Sequence, residues 1–177
     1  MKNEYRIDGE FVYILLKNRK GVELETVIDK NDFEKVRKLD LSWHLKWAKF
    51  TQSYYCKAGK YMGKVDGKYK YKTIHLHDVI LPLQDKVNNV IHHKNHITLD
   101  NRKSNLEEVS RKKNCLDRRG ANPNGTTGVR NVAYSKGKYI VQLFVNSKLL
   151  ICGKFDNLEE AKKCAEHNRS IYYSNID

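Results

Sequence analysis

Residues 90–106 read VIHHKNHITLDNRKSNL, and this stretch governs the interpretation of the whole chain. Five of the seven histidines lie within it or shortly before it: His75, His77, His92, His93 and His96. Imidazole is the commonest metal ligand in proteins and the side chain that titrates near neutral pH. Because the surrounding sequence is rich in lysine, this cluster indicates chemistry on a phosphate group.

The order and spacing of residues around this stretch resemble those of HNH endonucleases of the phage and intron type, which have a ββα-metal site. His92-His93 takes the first position of the family pattern, Asn105-Leu106 follows twelve residues later, and Asn114 follows nine residues after that. Upstream, Leu76-His77-Asp78 stands where the family often has Leu-His-Arg, so the phosphate-contacting arginine is absent at that point. The resemblance covers residues 75–119.

The resemblance implies a role for each residue of the pattern. Adjacent side chains of a strand point to opposite sides, so one histidine of the pair would face a metal and the other the attacking water. By the resemblance, His93 is the general base and His92 is a metal ligand. Asn114 is the second expected protein ligand. Asn105 is expected to brace the loop of residues 94–104 and thereby to orient His93.

The expected cofactor is a divalent metal ion, Mg²⁺ or Mn²⁺ in the first place. Many relatives have aspartate where this chain has His92, and imidazole supplies no negative charge. Mn²⁺, Co²⁺ or Ni²⁺ is therefore expected to bind better than Mg²⁺, with Zn²⁺ a further candidate. The segment Asp100-Asn101-Arg102 is expected to shape the loop, with Arg102 as an alternative phosphate clamp. Three other histidines are interpreted as structural or phosphate-contacting residues: His75, His77 and His96.

The net charge of the 177-residue chain is +13, and residues 41–120 carry ten of these charges. Lysines alternate with tyrosines in this region, and the clearest run is Lys68, Tyr69, Lys70, Tyr71 and Lys72. A basic stripe with interleaved aromatic residues indicates a polyanionic partner. Lys68, Lys70 and Lys72 are therefore candidate nucleic-acid contacts. The alternative is an exposed sheet whose lysines protect a strand edge.

Residues 126–174 resemble an AP2 DNA-binding domain, in which three antiparallel strands lie on one helix. The segments that carry this resemblance are Gly128-Val129-Arg130, Gly137-Lys138-Tyr139, Val145-Asn146-Ser147-Lys148 and Gly153-Lys154-Phe155-Asp156, followed by Glu160-Ala161 and Ala165 on a helix. The pattern predicts strands over 129–134, 138–145 and 148–155, and a helix capped by Asn157. The apolar face of that helix is predicted to carry Leu158, Ala161, Cys164, Ala165 and Tyr172.

Alternation along these strands predicts which side chains face the helix: Val141, Leu143 and Val145. The outer face of the sheet is then predicted to carry Arg130, Ile140, Gln142, Phe144, Leu149 and Ile151. Arg130 and Gln142 are the candidate nucleic-acid contacts on this face. For its apolar residues, contact with thymine methyl groups and packing against protein both stay open.

The remaining pattern predicts a strand-rich N-terminal region. Residues 11–16 and 22–28 read as a hairpin, and residues 42–50, 53–57, 68–76 and 90–93 read as strands. Residues 32–39 are predicted to form a helix capped by Asn31, and Ser110 is predicted to cap a helix that reaches about Arg119. Gly59, Gly63 and Gly67 indicate turns.

These features together predict an α+β protein in four parts. Residues 1–74 form a β-rich basic region, residues 75–119 the HNH motif, residues 120–127 a linker, and residues 128–177 the AP2-like module. The predicted function is metal-dependent cutting or nicking of duplex DNA by a homing-type enzyme of phages or mobile elements. The alternatives are a catalytically inactive DNA-binding regulator and an RNA-binding or RNA-cleaving protein.

Several classes of protein are excluded by absent patterns. The sequence has no apolar run of the ~20 residues that a membrane span needs, and it starts without the pattern of a signal peptide. Its four cysteines are dispersed, without the spacing of a zinc site or a disulfide framework. A cytoplasmic protein is expected, in the host cell if a phage encodes it, and a monomeric state is consistent with the sequence.

Overall fold

The computed structural model describes residues 1–49, 51–117, 120–121 and 124–173, and these residues form a mixed α+β structure. The chain divides into two compact units, Met1–Arg111 and Lys112–Asp177. This division differs from the four parts predicted from the sequence, because the region before residue 75 and the histidine-rich stretch belong to one unit. Within the described residues, no helix is both long and apolar enough to span a membrane.

The first unit is built on a curled, mainly antiparallel sheet. Its strands are β1 (Tyr5–Asp8), β2 (Phe11–Lys17), β3 (Glu23–Asp29), β4 (Trp43–Ala48), β5 (Ser53–Val65) and β6 (Lys68–His75). Strand β2 pairs with both β1 and β3, and one parallel pair, Lys17 with His44, joins it to β4. Because β2 alternates apolar side chains toward the core, Val12, Ile14 and Leu16 are fully buried. The predicted hairpin of β2 and β3 is confirmed.

Two short helices, α1 (Lys30–Arg37) and α2 (Leu76–Ile80), contribute to the core of this sheet. Their buried apolar residues are Phe33, Val36, Leu76 and Ile80. The predicted cap of α1 at Asn31 is wrong, because the helix begins earlier and Asp29 is its N-cap residue. The carboxylate of Asp29 accepts a hydrogen bond from the backbone N–H of Lys103, 2.7 Å away, instead of capping its own helix.

Strand β5 is longer than predicted, and the turns expected at Gly59 and Gly63 are absent because the strand continues through both residues. A register shift between Tyr61 and Lys64 absorbs the irregularity. The predicted turn at Gly67 is confirmed, and both Asp66 and Gly67 have positive φ, 52° and 74°. This conformation is the one that two-residue hairpin turns require.

The histidine-rich stretch forms a separate two-stranded antiparallel sheet of β7 (Asn89–His93) and β8 (Leu106–Ser110). A loop that ends in one turn of 3₁₀-helix, Lys103–Asn105, joins the two strands. Helix α3 (Arg111–Leu116) follows along the chain. The predicted strand ending at His93 and the helix after Ser110 are confirmed, whereas strand β8 was not predicted. Phe50, Arg118 and Arg119, which also took part in predicted elements, lie outside the described residues.

The second unit has the predicted arrangement of three antiparallel strands and one helix. The strands are β9 (Val132–Ser135), β10 (Lys138–Val145) and β11 (Lys148–Phe155), in the order β11-β10-β9. Helix α4 (Leu158–Tyr172) packs on this sheet, and Asn157 Oδ1 caps it by accepting from the Glu159 N–H at 2.7 Å. The core is formed by Val132, Val141, Leu143, Ala161 and Ala165.

Two residues of the second unit are placed differently from the sequence expectation. Tyr172 is exposed, and it is the next residue, Tyr173, that packs against the core. Arg130 lies before the start of β9, so it is not on the outer face of the sheet. Its guanidinium carbon is 5.6 Å from the centroid of the Tyr173 ring, and its Nη2 donates to the Leu116 carbonyl at 2.7 Å.

Candidate active site

His93 is the last residue of β7, and its side chain is buried while that of the preceding His92 is only half-buried. This difference follows from strand alternation, which sends adjacent side chains to opposite sides. The imidazole of His93 lies edge-on to the rings of Tyr55 and His77, with centroids 6.2 Å and 5.3 Å away. Residues of two other elements, Tyr55 of β5 and His77 of α2, thus lie against the ring that the resemblance assigns as the general base.

A chain of hydrogen bonds determines the tautomer of the neutral His93 ring. Its Nε2 lies 3.4 Å from Asn101 Oδ1. The Asn101 amide is oriented because its Nδ2 donates to Thr26 Oγ1 at 2.8 Å, and the Thr26 hydroxyl donates to the Leu99 carbonyl at 2.7 Å. Since the amide oxygen that faces His93 only accepts, Nε2 carries the proton and Nδ1 is left as the basic nitrogen.

Burial lowers the pKa of His93 below its ordinary value of 6.5, and the hydrogen bond to Asn101 opposes this change without cancelling it. The neutral form of the ring is therefore favoured at neutral pH. A neutral imidazole with a fixed tautomer is suited to accept a proton from water.

Asn105 forms hydrogen bonds with backbone groups of the loop between β7 and β8, and its role in orienting His93 stays a prediction. Its Oδ1 accepts from the Asn95 N–H at 2.9 Å, and its Nδ2 donates to the Asp100 carbonyl at 2.8 Å. Its own carbonyl accepts from the Lys94 N–H at 2.9 Å. One buried amide thus ties both ends of the loop together and holds the segment that carries Asn101.

Arg102 has a partner inside the loop. Its Nε and Nη2 donate to the two carboxylate oxygens of Asp100 at 2.8 Å and 2.7 Å, and its guanidinium lies 5.1 Å from the centre of the Phe11 ring. This bidentate pair corresponds to the loop-shaping role expected for the Asp100-Asn101-Arg102 segment. The role of Arg102 as a phosphate clamp stays a prediction.

The loop is also attached to β3 of the large sheet. The Val27 N–H donates to the Leu99 carbonyl at 3.0 Å, and the Asn101 N–H donates to the Val27 carbonyl at 2.8 Å. On the other side of the loop, Lys103 Nζ lies 2.9 Å from the buried carboxylate of Asp32 in α1. The N-terminal sheet therefore positions the loop from which Asn101 contacts His93.

A group of potential metal ligands lies next to His93. One ligand atom each of His75, His77 and Asp78 falls within a sphere where all separations are below 4.8 Å. His75 Nδ1 and His77 Nε2 lie 3.3 Å and 3.6 Å from the Asp78 carboxylate, and the two rings are stacked. Burial lowers the pKa of His77 to about 3, against the attraction of Asp78. The group combines two imidazoles with one carboxylate, which suits transition-metal ions better than Mg²⁺.

The metal ligands expected from the sequence are placed as follows. His92 lies with its ring 5.3 Å from that of His96, nearly perpendicular to it. Asn114 is half-buried in α3, on the part of that helix that belongs to the second unit. Their role as a ligand pair stays a prediction.

The candidate nucleic-acid contacts occupy different settings. Lys68, Lys70 and Lys72 are exposed on β6. Gln142 is half-buried on β10 opposite Ile151, and the exposed apolar residues on this outer face are Phe144, Leu149 and Ile151, as predicted. Arg130, in contrast, lies before β9 and donates to the Leu116 carbonyl.

Sequence reasoning did not place Thr26 or Tyr55 in the site, and it missed the contact of Asn101 with His93. The segment around Asn101 was recognised as loop-shaping, but its buried amide has no local sequence signal. Thr26 is fully buried in β3, on the same face as the buried Ile28. The one available hint is a hydroxyl at a core-facing position of β3, because a buried hydroxyl needs a hydrogen-bond partner.

Comparison of the chain with sequence models of protein families, with curated proteins and with solved structures yielded no match in any of the three.

Proposed function

We propose that this protein is a metal-dependent endonuclease that hydrolyses phosphodiester bonds in duplex DNA, with His93 as the general base. The observation that carries the proposal is the buried hydrogen-bond chain from Thr26 through Asn101 to His93. It leaves Nδ1 of a neutral imidazole as the proton acceptor. The order of β7, loop, β8 and α3 along the chain, together with the bracing contacts of Asn105, supports the resemblance to ββα-metal nucleases.

The chain supplies the base and its support in this proposal. His93 Nδ1 takes a proton from the attacking water while Nε2 stays bonded to Asn101. Asn105 holds the loop, and through it the position of Asn101. A bound divalent ion would supply charge neutralisation on the phosphate and on the leaving oxygen. Two sets of residues are candidates to hold it: His92 with Asn114, from the resemblance, and His75 with His77 and Asp78, from their proximity.

The proposal is tested by incubating supercoiled plasmid, linear duplex DNA and RNA with the protein and Mg²⁺, Mn²⁺, Co²⁺, Ni²⁺ or Zn²⁺. We expect cleavage of DNA that EDTA abolishes, with Mn²⁺ or Ni²⁺ more effective than Mg²⁺. His93→Ala should lower the cleavage rate by about 10²–10⁴-fold, the usual contribution of a general base, and leave DNA affinity unchanged.

The matched control is His44→Ala, which removes an exposed histidine of β4, in the six-stranded sheet of the same unit. Full activity of His93→Ala, or robust cleavage in excess EDTA, contradicts the mechanism. Binding of DNA without cleavage under any metal supports the inactive regulator, and cleavage of RNA alone supports the second alternative. Metal titrations of His92→Ala and His75→Ala identify which set holds the ion. Only the variant that has lost a metal ligand should need a higher metal concentration for half-maximal cleavage.

A further inference from the structure

The hairpin of β5 and β6 extends beyond the rest of the sheet as a two-stranded ribbon. The last pair that β5 makes with β4 is at Ala58, so residues 59–72 have only the β5–β6 pairing. Nearly every side chain of this ribbon is exposed. An isolated two-stranded hairpin is at best marginally stable in water. The ribbon therefore needs contacts between its own side chains, or with a partner, to be stable.

The two faces of the ribbon differ in chemistry. Strand alternation places Lys68, Lys70 and Lys72 on one face of β6, and Lys60 joins them because it pairs directly with Lys72. None of these four lysines forms an ion pair with a carboxylate within the described residues. The sequence between 59 and 75 contains a single acidic residue, Asp66 at the turn. Four like charges on one unpaired face repel one another and favour an anionic partner.

The opposite face carries tyrosines that pack on one another. The ring of Tyr61 lies 5.6 Å from that of Tyr71 and 6.0 Å from that of Tyr69, in tilted arrangements. Lys64 Nζ lies 4.7 Å from the centre of the Tyr69 ring. Cross-strand aromatic pairs of this kind stabilise hairpins. The tyrosines thus serve as the internal support of the ribbon, which leaves the lysine face as its binding surface.

We infer that the ribbon of residues 59–72 is a duplex-DNA-binding arm whose lysine face contacts phosphate groups. A two-stranded β-ribbon is narrow enough to enter the major groove of B-DNA. A comparison of single-stranded with duplex substrates tests the alternative, in which unpaired bases stack on the exposed tyrosine rings. The choice of DNA as the polyanion rests on the proposed function.

The test is a binding measurement with the full-length protein in EDTA, so that it does not depend on cleavage. A variant with Lys60, Lys68, Lys70 and Lys72 all changed to Gln is compared with wild type on duplex DNA across a salt series. Four lost phosphate contacts should reduce the slope of log affinity against log salt by about 3–4. Over a fourfold rise in salt, the affinity of the wild type should then fall on the order of 100-fold more than that of the variant.

Two further variants separate the arm from general effects. The matched control changes Lys2, Lys20, Lys30 and Lys38 to Gln, which removes the same charge from exposed positions outside the ribbon, and it should leave the slope nearly unchanged. Changing the four ribbon lysines to Arg preserves the charge and should preserve binding. Circular dichroism and thermal unfolding verify that every variant is folded.

Equal losses in the ribbon variant and the control, or an unchanged slope in the ribbon variant, would overturn the inference. A larger loss on single-stranded RNA or DNA than on duplex DNA would also overturn it, because the arm would then belong to a different class of ligand. The result is distinguishable from the outcome for the proposed function. A protein that never cleaves DNA can still show the ribbon effect, and an active nuclease can lack it.

Discussion

Thr26 and Asn101 show how a candidate base can depend on side chains that never touch the substrate. The Thr26 hydroxyl oxygen accepts a hydrogen bond from the side-chain N–H of Asn101, and this contact determines that the amide oxygen of Asn101 faces His93. Both residues are almost completely buried. A buried polar group that loses its partner costs about 1–3 kcal/mol.

We therefore predict that Thr26→Val lowers the free energy of unfolding by about 1–3 kcal/mol, since the change leaves the Asn101 amide without its acceptor. It should also slow DNA cleavage without weakening DNA binding, because the tautomer of His93 is no longer fixed. Chemical denaturation, cleavage kinetics and equilibrium binding measure the three effects. Thr73→Val, at an exposed position of β6, is the control. Unchanged cleavage in folded Thr26→Val would mean that the hydrogen-bond chain is structural only.

A second prediction at this scale concerns pH. The pKa of His77 is about 3 in the folded protein and near 6.5 in the unfolded chain. As the pH falls below 6.5, the unfolded chain takes up a proton that the folded protein refuses. The contribution of neutral His77 to the free energy of unfolding is thus fully present above pH 6.5 and is lost as the pH falls toward 3. The burial of His93 acts in the same direction.

In EDTA, the temperature at the midpoint of thermal unfolding should decrease as the pH is lowered from 7 to 4. This decrease should be smaller in His77→Phe than in the wild type. Phenylalanine keeps a ring next to Tyr55 and His93 but has no proton to gain. Asp78, whose carboxylate pKa is lowered, contributes in both proteins and only near and below pH 4. Identical pH dependence in wild type and His77→Phe would show that His77 is accessible to protons in the folded state.

At the scale of elements, the second unit shows where a side-chain assignment from alternation fails. The pattern of β10 correctly placed Val141 and Leu143 in the core. It could not place Arg130, because β9 begins at Val132, three residues later than the pattern suggests. The loop before β9 instead places the guanidinium near Tyr173 and the Leu116 carbonyl.

We accordingly predict that Arg130→Ala destabilises the second unit by about 1.5–3 kcal/mol, the range for a lost hydrogen bond that involves a charged group. Gln142→Ala, on the outer face, is the comparison and should leave stability unchanged. Thermal unfolding and binding to selected and scrambled duplexes measure both properties. A normal unfolding temperature combined with weaker binding to the selected site would favour the base-reading role first expected for Arg130.

The contrast between local and distant information also explains what the sequence predicts of the first unit. Strands and their faces follow from two-residue alternation, and the spacing around His93, Asn105 and Asn114 is a local pattern. The contact of Thr26 with Asn101 joins residues 75 positions apart. No periodicity within either segment reports it. The continuation of β5 through both glycines was missed for a related reason. Pairing of Gly59 with Thr73 of β6 outweighs the weak strand propensity of glycine, and Gly63, with φ 102°, lies in the register shift between Tyr61 and Lys64.

At the scale of the whole molecule, the division into two units predicts a separation of tasks. A chain that ends after residue 117 retains the core of the first unit and all four residues expected in the nuclease pattern: His92, His93, Asn105 and Asn114. Since lysine–phosphate contacts provide affinity without sequence preference, this fragment should still nick plasmid DNA. Its nicks should be distributed over more sites than those of the full chain.

Sequencing the nicked ends from both proteins tests this division. The comparison requires that the fragment be folded, which its unfolding transition establishes. A folded fragment without activity would show that the second unit contributes to catalysis. An unchanged distribution of nicks would show that the second unit does not select sites.

The attachment of the loop to β3 has a consequence for how this motif can be inherited or engineered. Val27 and Thr26 hold the loop through hydrogen bonds from a strand encoded far upstream. Residues 75–119 therefore do not contain every residue that supports His93. A protein into which only this segment is transferred lacks Thr26, the threonine that orients Asn101 toward His93. Recombination that shuffles the motif between hosts has to carry the N-terminal sheet with it, or recruit an equivalent hydroxyl from the new scaffold.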